Sequence, residues 1–305
     1  MKIIFMGTPE FAVPSLQILH ENGYEIVGVV TAPDKPKGRG KVMQGTPVKE
    51  YALSQGLNVL QPANLKSPEF LEELKFLKAE LQVVVAFRML PEVVWDMPPR
   101  GTFNLHASLL PQYRGAAPIN WAVINGEKET GATTFMLQHE IDTGNIIDQI
   151  KEPIGENDTA GDVYERLMHS GADLVLTTVK KIEVGNVETF SQHDSKELKS
   201  APKIFKETCE IDWDQSCERI RNFVRGLSPY PAAWTEWNNK IFKVFEVTIS
   251  ETDIDTLLKS GEYETDEKTF LKVKADDGTL EIKVLQLQGK KRMTIEEFLR
   301  GNKLD

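Results

Sequence analysis

Apolar runs and stretches of helical periodicity alternate through the first half of the chain. Lys2 to Met6 is a short apolar run that stops at Gly7, and Thr8-Pro9-Glu10 supplies an N-cap, a proline for the first helical position and an early acid. Phe11, Leu16 and Leu19 then fall on one side of a helix that Asn22-Gly23 ends. Glu25–Thr31 and Leu81–Phe87 read as further buried strands, the second after a helical stretch over Pro68–Lys78. Strands that are apolar throughout, separated by amphipathic helices, belong in a parallel sheet covered on both faces. The expected architecture is α/β: a doubly wound, mainly parallel, Rossmann-like sheet with ligands beyond the carboxyl ends of its strands.

A helix over about Ala160–Lys181, with Val163, Leu167, Leu174 and Leu176 among its apolar positions, closes this region. From Gln192 to Lys206 the chain turns polar and lysine-rich without periodicity, as a linker does. Beyond it one helix, Ser216–Leu227, precedes strand-like segments at Ala233–Trp237, Ile241–Ile249, Thr269–Val273 and Leu280–Gln288. The strand–helix alternation is gone, and a smaller β-rich, barrel-like (OB-like) domain is expected. The expected boundaries are 1–190 for the first domain, 191–206 for the linker and 207–305 for the second.

Composition narrows the possibilities. A length of 305 residues suits two domains. A net charge of −10 argues against a protein that coats nucleic acid, while leaving room for a local basic patch. The two cysteines, Cys209 and Cys217, are too few for a disulfide framework and lack metal-ligand company, so they read as reduced thiols. No apolar run is long enough to span a membrane, and the N-terminal run is too short for a signal peptide. A cytoplasmic protein with no membrane contact is expected.

Two segments carry candidate chemistry. Read as a strand, Gly101–Pro111 (GTFNLHASLLP) places Thr102, Asn104, His106 and Ser108 on one face and Phe103, Leu105, Ala107 and Leu109 on the other. An edge strand showing water its polar face would look the same. Against that reading, the segment runs into Leu-Leu-Pro and then Arg114–Pro118, a tight connection of the kind that opens onto a cleft. The second segment, a strand-like ATTFMLQ, ends in His139-Glu-Ile-Asp142-Thr-Gly144, where Asp and Gly also serve turns for conformational reasons. An amide, an imidazole and a carboxylate together meet the needs of acyl transfer to an amine. Asn donates to a developing oxyanion, His moves a proton or donates to the same oxygen, and Asp orients the imidazole.

Asn104-Leu-His106-Ala-Ser108-Leu-Leu-Pro111 with the later Asp142-Thr-Gly resembles the signature of the folate-dependent formyltransferases. The longer run FNLHASLLPQYRGAAPINWAVINGEKETGATTFMLQHEIDTGNI is similar to the branch that acts on methionyl-tRNA. So are the opening IIFMGTPEFAVPSL, the loop KPKGRGK and the run RGLSPYPAAW, so that the likeness covers essentially the whole chain. Arg88 departs from it, since many relatives carry glycine there. The resemblance implies that Asn104, His106 and Asp142 are catalytic and that Ser108, Leu109, Leu110 and Pro111 belong to the folate-binding region. It implies 10-formyltetrahydrofolate as formyl donor, without a metal, and the methionyl α-amine of initiator tRNA as acceptor. A monomer is expected. An amino-sugar N-formyltransferase using the same donor is the alternative, because it shares the Asn-His-Ser-Leu-Leu-Pro and Asp motifs.

Between Asp34 and Lys49 stand Lys35, Lys37, Arg39, Lys41 and Lys49, with glycines at 38, 40 and 45 that should break any regular element. A solvated surface loop and a phosphate-contacting loop are both open readings. Valine after Gly40-Lys41 excludes a P-loop. The family resemblance favours RNA contact by Lys35, Lys37, Arg39 and Lys41, with Arg39 foremost. Gly7 lacks the companion glycines of a dinucleotide fingerprint and reads as a tight turn. Trp234 and Trp237 alternate on an expected strand, open to core packing or to an RNA-facing role.

Overall fold

A computed structural model describes residues 1–37, 42–192, 197–255 and 257–304, with the side chains of Lys37 and Val42 left aside. Two compact units divide it: Met1–Gly115 with Thr130–Glu152 and Tyr164–Ser200, and Ala116–Glu129 with Pro153–Val163 and Ala201–Asp305.

The chain begins with β1 (Lys2–Gly7), α1 (Val13–Glu21) and β2 (Glu25–Val30), followed by the short strands β3 (Lys35–Lys37) and β4 (Val42–Gln44). Next come α2 (Pro47–Ser54), β5 (Val59–Leu60), α3 (Pro68–Leu77), β6 (Leu81–Val85), α4 (Glu92–Trp95), β7 (Thr102–His106) and β8 (Arg114–Gly115). After α5 (Pro118–Ile124) follow β9 (Glu129–Met136), β10 (Ile146–Pro153), α6 (Ala160–Glu183) and β11 (Ser200–Ala201).

The main sheet of the first unit runs β10-β9-β7-β6-β1-β2-β5. Strands β5, β2, β1, β6 and β7 are parallel, and β9 returns antiparallel to β7. Chain order reverses between β1 and β6, the place where doubly wound sheets open a crevice. Val85 pairs with Gly7 on one side and Leu105 on the other, so three strands end side by side there. Gly7 is required at this edge, because a Cβ would lie 2.7 Å from that of Ala12 and 3.1 Å from the Val85 carbonyl oxygen. All five residues of β6 are buried, as are Ile3 to Gly7 nearby or wholly, which is why these strands read as unbroken apolar runs.

Two local expectations are corrected. The first α-helix starts at Val13 rather than Pro9, after a single 3-10 turn over Glu10–Ala12. Pro14, with no N–H and a fixed φ, belongs in the first turn of the α-helix and sets its start. Between Asp34 and Lys49 the chain is not irregular throughout: Lys35–Lys37 and Val42–Gln44 pair antiparallel, and Thr46 caps α2 by accepting from the Lys49 N–H. Arg39 and Lys41 lie outside the described residues.

The second unit contains α7 (Cys217–Leu227), β12 (Ala233–Trp237), β13 (Lys240–Ile249), β14 (Tyr263–Thr265), β15 (Leu271–Lys274), β16 (Thr279–Leu287), β17 (Met293–Thr294) and α8 (Ile295–Leu299). Its antiparallel sheet runs β12-β13-β16-β15-β14, with β17 beside β16. Register shifts around Glu246 bend β13, and the sheet curls into the barrel-like half expected from the sequence. Phe242, Val244, Val273, Ile282 and Leu285 meet Ile220 and Val224 of α7 and Phe298 of α8 in one core. Trp237 belongs to that core, against Trp213 (6.2 Å) and Phe242 (5.4 Å), so its ring does not face an RNA. Trp234, half-buried, donates its indole N–H to the Lys206 carbonyl.

Arg225, buried in the same unit, donates from Nε to Asn222 Oδ1 (2.8 Å) and from a terminal nitrogen to the Gly155 (3.3 Å) and Asp158 (2.9 Å) carbonyls. It stitches residues 153–163 to α7. Burial, with the Arg221 charge nearby, pulls its pKa below the ordinary arginine value. Among the described residues no helix is long and apolar enough to cross a membrane.

Candidate active site

Strand β7 is internal, not an edge: β6 pairs with it on one side and β9 on the other. The edge-strand reading fails because the strand is paired on both sides and most of its polar face is buried. Asn104 shares its level with Val84 of β6 and Phe135 of β9. Its half-buried amide makes no hydrogen bond to another described residue. Carboxamides set among apolar neighbours normally find a partner. One without a protein partner at the carboxyl end of a sheet is available to a ligand.

His106 ends the strand, buried. Its Nε2 donates to the Tyr113 carbonyl (2.9 Å), so the neutral ring carries its proton on Nε2 and presents Nδ1 as a lone pair. Facing Nδ1 is Asp142 Oδ2 at 3.8 Å, an ion-pair distance rather than a hydrogen bond. The same carboxylate oxygen accepts the Gly115 N–H (3.1 Å). Asp142 itself lies in the left-handed region at φ 56°, and Gly144 passes so close to Met136 that a Cβ would sit 1.7 Å from its carbonyl oxygen. Conformational and chemical reasons for Asp-Thr-Gly therefore coexist in one turn.

The turn after His106 is locked from below. Ser108 Oγ donates to the Gln112 carbonyl (2.7 Å), Leu110 is buried with Phe135 and Ile146, and Leu109 fills the space over Gly131. Thr133 Oγ1 donates to the Ser108 carbonyl (2.6 Å) and accepts from the Leu110 N–H (3.1 Å) and from Gln149 Nε2 (2.9 Å). Gln149 also donates to the Leu110 carbonyl (2.9 Å). Ser108 and Leu110 thus face inward, and Pro111 is half-buried behind a cis peptide bond. Thr133 and Gln149 escaped the sequence reading: both bond to main-chain groups, and a hydroxyl or amide on a strand gives no sign of which carbonyl approaches it.

Beside this turn the chain leaves β6 through Ala86, at φ 48°, into a loop with Met89 exposed. Arg88 lies over the Phe87 ring and donates to the Pro62 and Ala63 carbonyls, tying that loop to the segment after β5. Ile141 is also exposed, next to Asp142. His139 stacks edge-on against Trp95 and approaches Glu92 at 3.3 Å, which marks it as a surface residue of this loop. Lys35 is exposed on its hairpin arm. Among the described residues no group of three or more His, Cys, Asp and Glu side chains could hold a metal ion.

The formyl transferase family model matches residues 1–179, and the model for the C-terminal domain of formyl transferases matches residues 203–303. The chain belongs to the formyl transferase family. Among curated relatives, the methionyl-tRNA formyltransferase of Bacteroides fragilis is 55% identical over 308 residues, covering 99% of this chain and 95% of the relative. That of Flavobacterium johnsoniae is 51% identical over 305 residues, covering 99% and 96%. Solved structures of the same fold include an N-formyltransferase from Helicobacter canadensis in complex with folinic acid and dTDP-3-aminofucose (TM-score 0.68, 24% identity, 96% of this chain and 100% of that one). A methionyl-tRNA formyltransferase from Clostridium thermocellum aligns at TM-score 0.58 and 16% identity over 84% of this chain and 96% of that one. The protein is a formyltransferase, more than half identical in sequence to enzymes named for methionyl-tRNA.

Proposed function

We propose that this formyltransferase moves a formyl group from 10-formyltetrahydrofolate to the α-amine of methionyl initiator tRNA. The Asn104 amide, without a hydrogen bond to another described residue, beside the His106–Asp142 pair is the observation that carries the reading. When the unprotonated amine adds to the formyl carbon, Asn104 Nδ2 donates to the oxygen that gains charge. His106 Nδ1, left as a lone pair by the Tyr113 contact, accepts the amine proton, and Asp142 at 3.8 Å stabilises the imidazolium. Returned to the departing folate nitrogen, that proton completes the transfer: one C–N bond forms, one breaks, and no electrons are lost. Exposed Met89 and Ile141 flank the strand ends with apolar surface suited to a flat heterocycle. Ser108, Leu109, Leu110 and Pro111 give the donor pocket its shape by fixing the turn behind it.

For the acceptor, Lys35, Lys37, Arg39 and Lys41 contact the tRNA end, and residues 207–305 assist RNA binding, in a cytoplasmic monomer. Arg39→Ala should weaken methionyl-tRNA kinetics and flatten the salt dependence of tRNA binding, with folate binding unchanged. Side-by-side assays with charged initiator tRNA and an amino-sugar nucleotide test the whole reading. Efficient formylation of the tRNA alone is expected; preference for the sugar would overturn the choice of acceptor.

A further inference from the structure

We propose that Gln192, gripped by Arg114, is a positioning residue that holds the Asp142 carboxylate against His106. The inference rests on the function proposed above and adds a residue to its machinery. Gln192 Nε2 donates one hydrogen to the Asp142 carbonyl (2.9 Å) and the other to the Gly144 carbonyl (2.8 Å). Its Oε1 accepts two hydrogens from Arg114, from Nε (3.0 Å) and from a terminal nitrogen (2.7 Å). Both donors of the amide are therefore engaged, and its oxygen takes a guanidinium fork. Only one orientation of the amide works, since a flipped one would set oxygen against two carbonyls and nitrogen against a cation.

The bonds close into a ring. Arg114 is bonded in the chain to Gly115, whose N–H holds Asp142 Oδ2. The main chain of Asp142 is in turn held by Gln192, which Arg114 grips. Asp142 is thus fixed at its carboxylate by one residue of a dipeptide and at its backbone, through Gln192, by the other. Two residues before Gln192, Phe190 exchanges both backbone hydrogen bonds with Ile146 (2.8 Å each), anchoring the returning segment beside the turn. A left-handed aspartate in an otherwise solvent-edged turn needs such restraint, because its carboxylate meets His106 at the limit of an ion-pair contact. Small displacements of a group that supports proton transfer carry large kinetic effects.

The test is steady-state formylation by the full-length chain, with 10-formyltetrahydrofolate and charged initiator tRNA, for Gln192→Ala, Gln192→Glu, Asp142→Ala and the Asp142→Ala/Gln192→Ala double variant. Gln192→Ala should lower kcat about tenfold with the KM for the folate donor unchanged within about twofold. In the Asp142→Ala background, removal of Gln192 should change kcat less than about twofold, because its effect passes through the lost carboxylate. Gln192→Glu, which keeps an oxygen for Arg114 but turns another toward two carbonyls, should be no better than the alanine variant. Wild-type kcat in Gln192→Ala, full activity in Gln192→Glu, or the same fractional loss in both backgrounds would overturn the proposal. Should Asp142→Ala be impaired and Gln192→Ala normal, this inference alone falls. Should Asp142→Ala be fully active, the reading of the site falls, and this inference with it.

Discussion

The two large sheets of the molecule bury their strands in opposite ways. In the first unit, consecutive residues of β6 are all buried, because helices cover both faces. In the second, β12 and β16 alternate between buried and accessible positions, and only one face carries the core. A sheet covered on both faces leaves only its strand ends for chemistry, and that is where Asn104, His106 and Asp142 are found. A sheet covered on one face keeps a whole surface in water, suited to a large and polar partner.

The sharpest way to break this contrast is to place or remove a charge at chosen positions of the two sheets. Val83→Asp and Val84→Asp should each unfold the first unit, since an unpaired buried carboxylate costs several kcal/mol on either face. In β13, Val244→Asp should be comparably severe, whereas exposed Glu246→Ala should leave stability within about 0.5 kcal/mol. Thermal melts of the four variants decide it; tolerance of Val84→Asp would mean the first sheet has an open face.

Next in size is the site itself. Asn104→Ala should reduce turnover by about a hundredfold or more while the melting temperature stays close to that of the parent. Near-normal turnover would remove Asn104 from the chemistry.

A smaller effect comes from Cys217, on the buried side of the second sheet. Burial, and then the neighbouring Asp277, push its thiol up to about 12. The folded chain keeps a proton that the unfolded chain loses near 9, so this contribution to stability is full below about 9 and fades as pH rises toward about 12. Alkylation of Cys217 at pH 8 should wait for unfolding; rapid reaction of the native protein would contradict the burial.

The least consequence is expected on the accessible face. Lys283 and Glu281 form a 2.6 Å pair there, partly exposed, and Lys283→Ala should shift stability by at most about 1 kcal/mol, less at high salt. A loss well beyond that would show the outer face to be structural rather than free.

The same contrast explains what could be read from the chain. β1, β2 and β6 were legible because strands buried on both faces are written as unbroken apolar runs. The helices over α3 and α7 were legible from their periodicity, but the caps Ser67 and Ser216, each accepting the N–H three residues on, were not singled out. β10 was missed because Asp148, Gln149 and Lys151 interrupt its apolar pattern, and α5 because it is short and begins at a proline. Within the site, Asn104, His106 and Asp142 announce themselves by chemical type. Gln192 lay in a segment that composition marks as a tether, although its side chain reaches Asp142 and Gly144. Its partners are main-chain oxygens fifty residues away or nearly so, and no local pattern encodes such a meeting.

The acceptor that fixes the His106 ring is the carbonyl of Tyr113, not its side chain. Every amino acid at position 113 would offer that same oxygen, so side-chain mutagenesis there reports on packing and is blind to the tautomer. The carbonyls of Leu110, Asp142 and Gly144 are hidden from it in the same way. Part of this active site is thus written in the peptide backbone, where replacing an amide by an ester can alter it and exchanging one genetic codon for another cannot.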